Sequence, residues 1–341
     1  MNNKMETGEH KIYTIDDIAK ELGVSKTTVS RAISGKGRIS AATREKVLAF
    51  VREHDYRPNV MAKGLAQRKT YNIGMSFPME YEATEIPFFK DCLNGICEVA
   101  SANNYDILIS MARNEDLSQI VRMVENHKVD GVILSRTIMN SAAQQYLKQK
   151  GIPLVVIGPT GDKEVISVDN RNYEASKELT ELLLMKGVHR LALLGGDESF
   201  RVTESRCQGF LDAYRESGLE ADTSLLFMGI NTYMEAMYAV EHALEAKADG
   251  IVCMDDVITM TTLGCLREKG VSIPEDMKLA SFYDSWQLEN NLPSITSLKF
   301  DSKALGQWAC RKMLELLGED TGDPRSMSVP SYQVILREST K

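Results

Sequence analysis

Residues 13–40 read YTIDDIAKELGVSKTTVSRAISGKGRIS, and this stretch sets the reading of the chain. Thr14, with Asp17 three residues later, makes an N-cap pair. Ile15, Ile18, Ala19 and Leu22 follow at helical spacing, and Gly23 breaks the pattern. Ser25 caps a second short helix, Lys26 to Ile33, which stops at Ser34-Gly35. After a loop, Ser40 opens a third helix from about Ala41 to His54, with Val47, Leu48 and Val51 as its apolar stripe. Pro58 blocks helix at its own position and disfavours it at Arg57. Two helices joined by a tight turn, the second rich in Ser, Thr, Lys and Arg, match a helix-turn-helix reader of the DNA major groove. Lys26, Thr27 and Arg31 can present donors to base edges, and Arg suits guanine O6 and N7 best. Thr14, Ser25, Ser30 and Ser40 can contact phosphates through hydroxyls or helix-end amides.

The charge distribution supports that reading. The 341 residues carry a net charge of −8, which spread evenly would argue against a nucleic-acid partner. Residues 10–70, however, hold 13 basic and 6 acidic residues, whereas residues 71–341 hold 26 basic and 40 acidic. A small basic module leads a large acidic body. With 43% hydrophobic and 26% charged residues, the chain is an ordinary globular one. No run approaches the ~18 apolar residues of a spanning helix. The polar N-terminus, MNNKMETGEH, has no apolar signal core, so a cytoplasmic location without membrane contact is expected. Six scattered cysteines, none in C-x-x-C, read as reduced buried thiols.

Outward from the basic module, residues 59–66 (NVMAKGLA) are a fourth helical candidate capped by Asn59. Eight residues including Gly64 are too few to hold a helix unaided. From Ile73 onward, short apolar runs alternate with amphipathic helices. The runs are 73–77, 107–110, 131–134, 154–157, 191–194, 225–228, 251–254 and 278–282, with a last one at 332–336. Helical patterns between them include 88–100, 117–126, 141–150, 172–186 and 206–217. This alternation predicts parallel sheets covered by helices, in two doubly wound lobes, with ligands off the carboxyl ends of the strands.

Residues 12–74 resemble the lac repressor family of bacterial transcriptional regulators, and the resemblance continues in VDN at 168–170, GVHRLALLGG at 187–196, RCQGF at 206–210, GVSIPEDMKLASF at 270–282 and LPSITSLKFD at 292–301. It implies a flexible tail (1–11), an all-α helix-turn-helix headpiece (12–58), a hinge helix and linker (59–70), and an α/β effector-binding and dimerisation domain (71–341). That domain would have two lobes of the periplasmic-binding-protein type, the first about 71–168 and 298–325, the second about 169–297 and 326–341. By the same likeness Lys26, Thr27 and Arg31 fall where the family reads bases. Lys63 falls near the DNA backbone or minor groove, and Leu65 where a leucine wedges a central base step. A near-palindromic operator, a homodimer and a small sugar effector are the implied partners.

Positional match places Phe88, Phe89, Arg206, Asp255 and Tyr283 at the ligand cleft, with Asp284 and Trp286 as weaker candidates. Many members have an Asp where Tyr283 stands, and the lac repressor has an aspartate where Gly158 stands, so the ligand need not be the same. PFF at 87–89, VVIG at 155–158, the pattern VT-x-x-R at 202–206 and SF-x-x-S at 281–285 resemble maltose-operon repressors of Gram-positive bacteria. That branch points to maltose or a malto-oligosaccharide. A global carbon catabolite regulator with a phosphorylated carrier-protein corepressor is the alternative. A sugar-binding protein or an enzyme on the same two-lobed body is a reading from another class. No G-x-S-x-G, P-loop or H-E-x-x-H supports catalysis, and no cofactor or metal is expected. The C-terminus, five residues beyond the last strand pattern, lacks a leucine heptad, so a dimer rather than a tetramer is expected.

Overall fold

The computed structural model describes residues 13–35, 37–56, 64–65, 67–78, 87–112, 116–320 and 331–341. The chain divides into two compact units, 1–70 and 71–341.

In the first unit, α1 (Ile15–Leu22), α2 (Lys26–Ser34) and α3 (Ala41–Glu53) are each set by local chemistry. Thr14 and Asp17 form a reciprocal capping box. Gly23 and Gly35 end the first two helices in the left-handed conformation that favours glycine. The Ser25 and Ser40 hydroxyls accept from the backbone of Thr28 and Thr43, both at 3.1 Å. Ile18, Val29, Ala32 and Val47 are the buried centre of this small core.

The second unit has two sheets. The first is built from β1 (Asn72–Pro78), β2 (Asp106–Ala112), β3 (Gly131–Leu134), β4 (Leu154–Ile157) and β5 (Ile166–Val168). Its order is β2-β1-β3-β4-β5, all parallel. Its helices are α4 (Pro87–Ala102), α5 (Ser118–Glu125) and α6 (Ala142–Gln149). The second lobe starts with α7 (Asn172–Met185), β6 (Leu191–Leu194), α8 (Arg201–Glu216), β7 (Leu226–Phe227) and α9 (Tyr233–Glu245). It continues with β8 (Gly250–Cys253), α10 (Asp256–Glu268), β9 (Lys278–Ser281), α11 (Trp286–Glu289) and β10 (Thr296–Phe300). After α12 (Ser302–Leu316), β11 (Tyr332–Ile335) completes it. The sheet order is β11-β10-β9-β8-β6-β7, parallel except for the antiparallel β10–β11 edge pair. Strands β3, β4, β6 and β8 are buried along their whole length, as parallel strands covered on both faces must be.

Some expected boundaries move. The run 225–228 is a 3₁₀ turn, Thr223–Leu225, followed by a two-residue strand. The helix expected from Arg206 starts five residues earlier, at Arg201. Residues 298–300 complete β10 of the second sheet, so the chain changes lobe at Asp301 rather than before 298. From there α12 crosses to the first lobe and packs on α4. The two helices meet backbone to backbone: a Cβ at Gly95 would collide with the Lys303 carbonyl, and one at Gly306 with that of Cys92. One end of this pair reaches the space between the lobes through Phe88, Phe89 and Leu305. Just past the other end, the Tyr105 hydroxyl donates to Glu319 at 3.0 Å, and the Tyr105 ring lies 5.3 Å from that of Tyr71, where the body begins.

Candidate functional site

On α2, Val29 and Ala32 face the headpiece core, which leaves Lys26, Thr27, Ser30 and Arg31 exposed. Lys26 with Ser30, and Thr27 with Arg31, are separated by four positions and share a face. Lys26 Nζ pairs with Asp16 Oδ2 at 2.6 Å, with both side chains about half exposed or more. Such a pair contributes little and exchanges readily for a phosphate or a base edge. Thr14, Ser25 and Ser40 are spent partly as helix caps, with Thr14 Oγ1 donating to Asp17 at 2.6 Å. Leu65 is 85% exposed. Asn59 and Lys63 lie outside the described residues.

Within the body, a cavity of about 710 Å³ opens between the two lobes. Phe88, Phe89, Thr137 and Gly158 line it from the first lobe. Phe200, Arg206, Asp255 and Tyr283 line it from the second. Phe88 and Tyr283, one from each lobe, meet edge to face in its wall, centroids 6.2 Å apart. At the rim the lobes are joined by the Ile138–Phe200 bridge. Met139 donates its N–H to the Ser199 carbonyl at 2.8 Å, and the Arg136 guanidinium lies 4.4 Å from the Phe200 ring centroid.

Arg206, in the second turn of α8, is the polar centre. Its Nε donates to Asn172 Oδ1 at 3.1 Å and its Nη1 to the Met254 carbonyl at 2.6 Å. It lies deep in the body, and it also forms part of the cavity wall. Burial pulls its pKa below the usual value, opposed by the charges of Asp255 and Asp169. Asp255 caps α10, with Oδ1 accepting from Ile258 N at 2.8 Å. Burial pushes its carboxyl up, opposed by the Ile258 N–H and Arg206. Its neighbour Asp256 is 3% exposed and has one carboxylate oxygen without a partner. Burial, reinforced by the Asp255 charge, pushes it up to about 6. Burial likewise raises the Tyr283 phenol. Aromatic walls around a few convergent polar groups suit a small polar ligand with apolar faces.

Two expected ligand residues lie off the cavity lining. Asp284 does not line the cavity. Its Oδ1 and Oδ2 accept from Arg337 at 2.6 and 3.0 Å, and Ser297 adds a hydroxyl at 2.5 Å. Trp286 is the first residue of α11, 75% exposed and away from the cavity. Asp169, Asn170, Asn172 and Phe200 also line it, beyond the ligand residues the sequence suggests. Asp169 and Asn170 stood in the VDN string, but neither charge nor spacing marks them as part of a site.

The family model for periplasmic binding proteins and the sugar-binding domain of the LacI family matches residues 78–336, and that for lacI-family bacterial regulatory proteins matches residues 14–59. The chain belongs to the LacI family. It is a DNA-binding transcriptional regulator with a helix-turn-helix domain, not an enzyme. Catabolite control protein A of Staphylococcus xylosus is 29% identical to this LacI-family chain over 331 residues, 96% of this chain and 99% of the relative. The cellobiose complex of the transcriptional regulator CelR superposes with a TM-score of 0.69 at 25% identity, covering 96% of this chain and 99% of the other. A probable maltose operon transcriptional repressor of Staphylococcus aureus shares the fold, with a TM-score of 0.72 at 24% identity, over 80% of this chain and 99% of the other. No helix among the described residues is long and apolar enough to cross a membrane.

Proposed function

We propose that this regulator represses a carbohydrate-utilisation operon, binding a near-palindromic operator as a homodimer under the control of a small sugar held between its lobes. Maltose or a malto-oligosaccharide is the sugar we favour. The observation that carries the reading is the half-buried Arg206 in the wall of a cavity flanked by Phe88, Phe89 and Tyr283. A guanidinium donates to two neighbouring hydroxyls at once, and aromatic faces stack on a pyranose ring. The match to the sugar-binding domain of the LacI family supports it, as do a cellobiose-bound regulator and a probable maltose-operon repressor among the structural neighbours. Lys26, Thr27 and Arg31 read base edges in this account, Thr14, Ser25, Ser30 and Ser40 hold phosphates, and Asn59, Lys63 and Leu65 serve the hinge at the minor groove.

The coupling would run along the α4–α12 pair. It touches the cavity at one end and, through Tyr105 and Glu319, holds Tyr71, from which the DNA-binding arm departs. Fifteen residues of α12 span roughly 22 Å. A coupling of about 1–3 kcal/mol changes operator affinity some 5–150-fold. A second reading, a catabolite regulator answering to a phosphorylated carrier protein, is favoured by the near full-length match to catabolite control protein A. Calorimetry with maltose, maltotriose and cellobiose, set against the phosphorylated carrier, separates the two. The DNA half is tested by Leu65→Ala, which should weaken specific operator binding more than nonspecific binding. Equal loss on both DNAs in a mobility-shift titration overturns the wedge.

A further inference from the structure

Lys128-Val129-Asp130-Gly131 and Lys247-Ala248-Asp249-Gly250 repeat one pattern, K-x-D-G, at the entry to β3 and at the entry to β8. Each follows a helix, α5 in the first lobe and α9 in the second, and leads into an interior strand of its sheet. Gly131 lies opposite Ile73 of β1, and Gly250 opposite Leu191 of β6. The two aspartates, one residue before these pairings, bond alike. Asp249 Oδ2 accepts from His189 N at 2.8 Å, two residues before Leu191, and its own N–H donates to the Arg190 carbonyl at 3.1 Å. Asp130 Oδ2 accepts from Tyr71 N at 2.9 Å, two residues before Ile73, and its own N–H donates to the Asn72 carbonyl at 2.8 Å. Both aspartates are half-buried. A hydrogen bond from a backbone N–H to a carboxylate is roughly twice as strong as one between neutral groups.

What the two clasps hold differs. Asp249 holds the turn between α7 and β6, a link inside the second lobe. Asp130 holds Tyr71, the first residue of the body, and the chain before it is the helix-turn-helix unit 1–70. Tyr71 has φ +57°, a left-handed conformation that a non-glycine residue keeps only when its surroundings hold it. Its carbonyl accepts from Asp106 N at 2.9 Å, which ties the body side of the residue. The Asp130 carboxylate ties its N–H, on the side of the arm.

We propose that Asp130 is a positioning residue for DNA recognition: by clasping the Tyr71 N–H, its carboxylate fixes the direction in which the DNA-binding arm leaves the body. The fold uses one device twice, as an internal brace at Asp249 and as the mount of the DNA reader at Asp130. The inference stands on the DNA-binding function of the family and is independent of what the cavity holds. A mount of fixed direction limits the orientations the helix-turn-helix samples, and so lowers the ordering cost of docking it in the major groove. Without the clasp, binding weakens although every base-reading side chain is still in place.

The test sets Asp130→Ala against Asp249→Ala in the full chain, the second being a matched loss of the same bond. The DNA is a duplex that the parent selects from a random-sequence pool, and affinity is read by fluorescence anisotropy below the melting transition of every variant. Amide hydrogen exchange at Tyr71 reports the bond itself. The parent should protect the Tyr71 amide, and Asp130→Ala should lose that protection. Asp130→Ala should bind the duplex about fivefold or more weakly, with Asp249→Ala within about twofold of the parent. Asp130→Asn, which keeps an acceptor oxygen but not the charge, should fall between parent and Asp130→Ala. A Tyr71 amide unprotected in the parent, equal losses in the two alanine variants, or an affinity of Asp130→Ala within about twofold of the parent makes Asp130 a brace at most and overturns the proposal. If Asp130→Ala does not fold, Asp130→Asn against Asp249→Asn decides in its place: a loss of about threefold or more in the first alone supports the mount, and any other result overturns it.

Discussion

Two buried arginine–aspartate neighbourhoods lie in the second lobe, and they do opposite things. Around Arg337 the capacity is spent. Asp284 takes both guanidinium arms, Ser297 and the Ile295 carbonyl take more, and the two charged side chains are 11% and 7% exposed. Around Arg206 it is left open. The guanidinium is anchored by Asn172 and the Met254 carbonyl, and it faces the cavity together with Asp255. Asp256 has an unpartnered oxygen beside Asp255, and Asn170, a residue of the cavity wall, has a buried one. The saturated pair ties the β9–α11 connection, and β10 through Ser297, to the segment after β11. An unsaturated set keeps hydrogen-bonding capacity at the cavity wall.

The contrast breaks if the saturated pair is dispensable. Arg337→Ala leaves Asp284 buried without its cation and should cost about 3–5 kcal/mol in urea unfolding. A loss under about 1 kcal/mol would put this pair in the same class as an exposed one. On the open side the sign reverses. Because Asp256 is raised from 3.8 to about 6, the folded state holds its proton more tightly than the unfolded chain. Its contribution is therefore most favourable below pH 3.8, declines as pH rises to about 6, and stays unfavourable above. Asp256→Asn removes that decline. It should match the parent near pH 4 and exceed it by about 1–3 kcal/mol at pH 7. Equal stability of the two at pH 7, measured by urea unfolding, would contradict the placement of Asp256. The smallest effect belongs to Trp286→Ala. With the ring 75% exposed and away from the cavity, sugar affinity by calorimetry should stay within twofold; a tenfold loss would return Trp286 to the ligand site.

The same contrast explains what the sequence could disclose. The headpiece was legible because its signals are local: Thr14 with Asp17, Ser25, Ser40, Gly23 and Gly35 all act within four residues of themselves. Strands β3, β4 and β6 were legible as four-residue apolar runs. Strand β10 was not among the apolar runs because Thr296 and Ser297 are buried in it. Their hydroxyls are satisfied by Thr340 and by Asp284, partners that no local pattern reveals. At the cavity, Arg206 and Asp255, picked out by family position, both line the wall. Tyr283 and Asp284 are adjacent, yet one meets the cavity and the other meets Arg337, 53 residues downstream. Asn170 gives no signal in charge or spacing, since what marks it is a missing partner.

The central claim is that the open set around Arg206 takes the sugar that sets operator affinity. The direct test is operator binding by fluorescence anisotropy, with and without the sugar of strongest calorimetric signal, for the parent and Arg206→Ala. The parent should change its operator Kd by at least about fivefold. Arg206→Ala should keep the ligand-free Kd within about twofold and lose the response. A variant that still responds at the same sugar concentration, or a parent that answers to no sugar, would contradict the account.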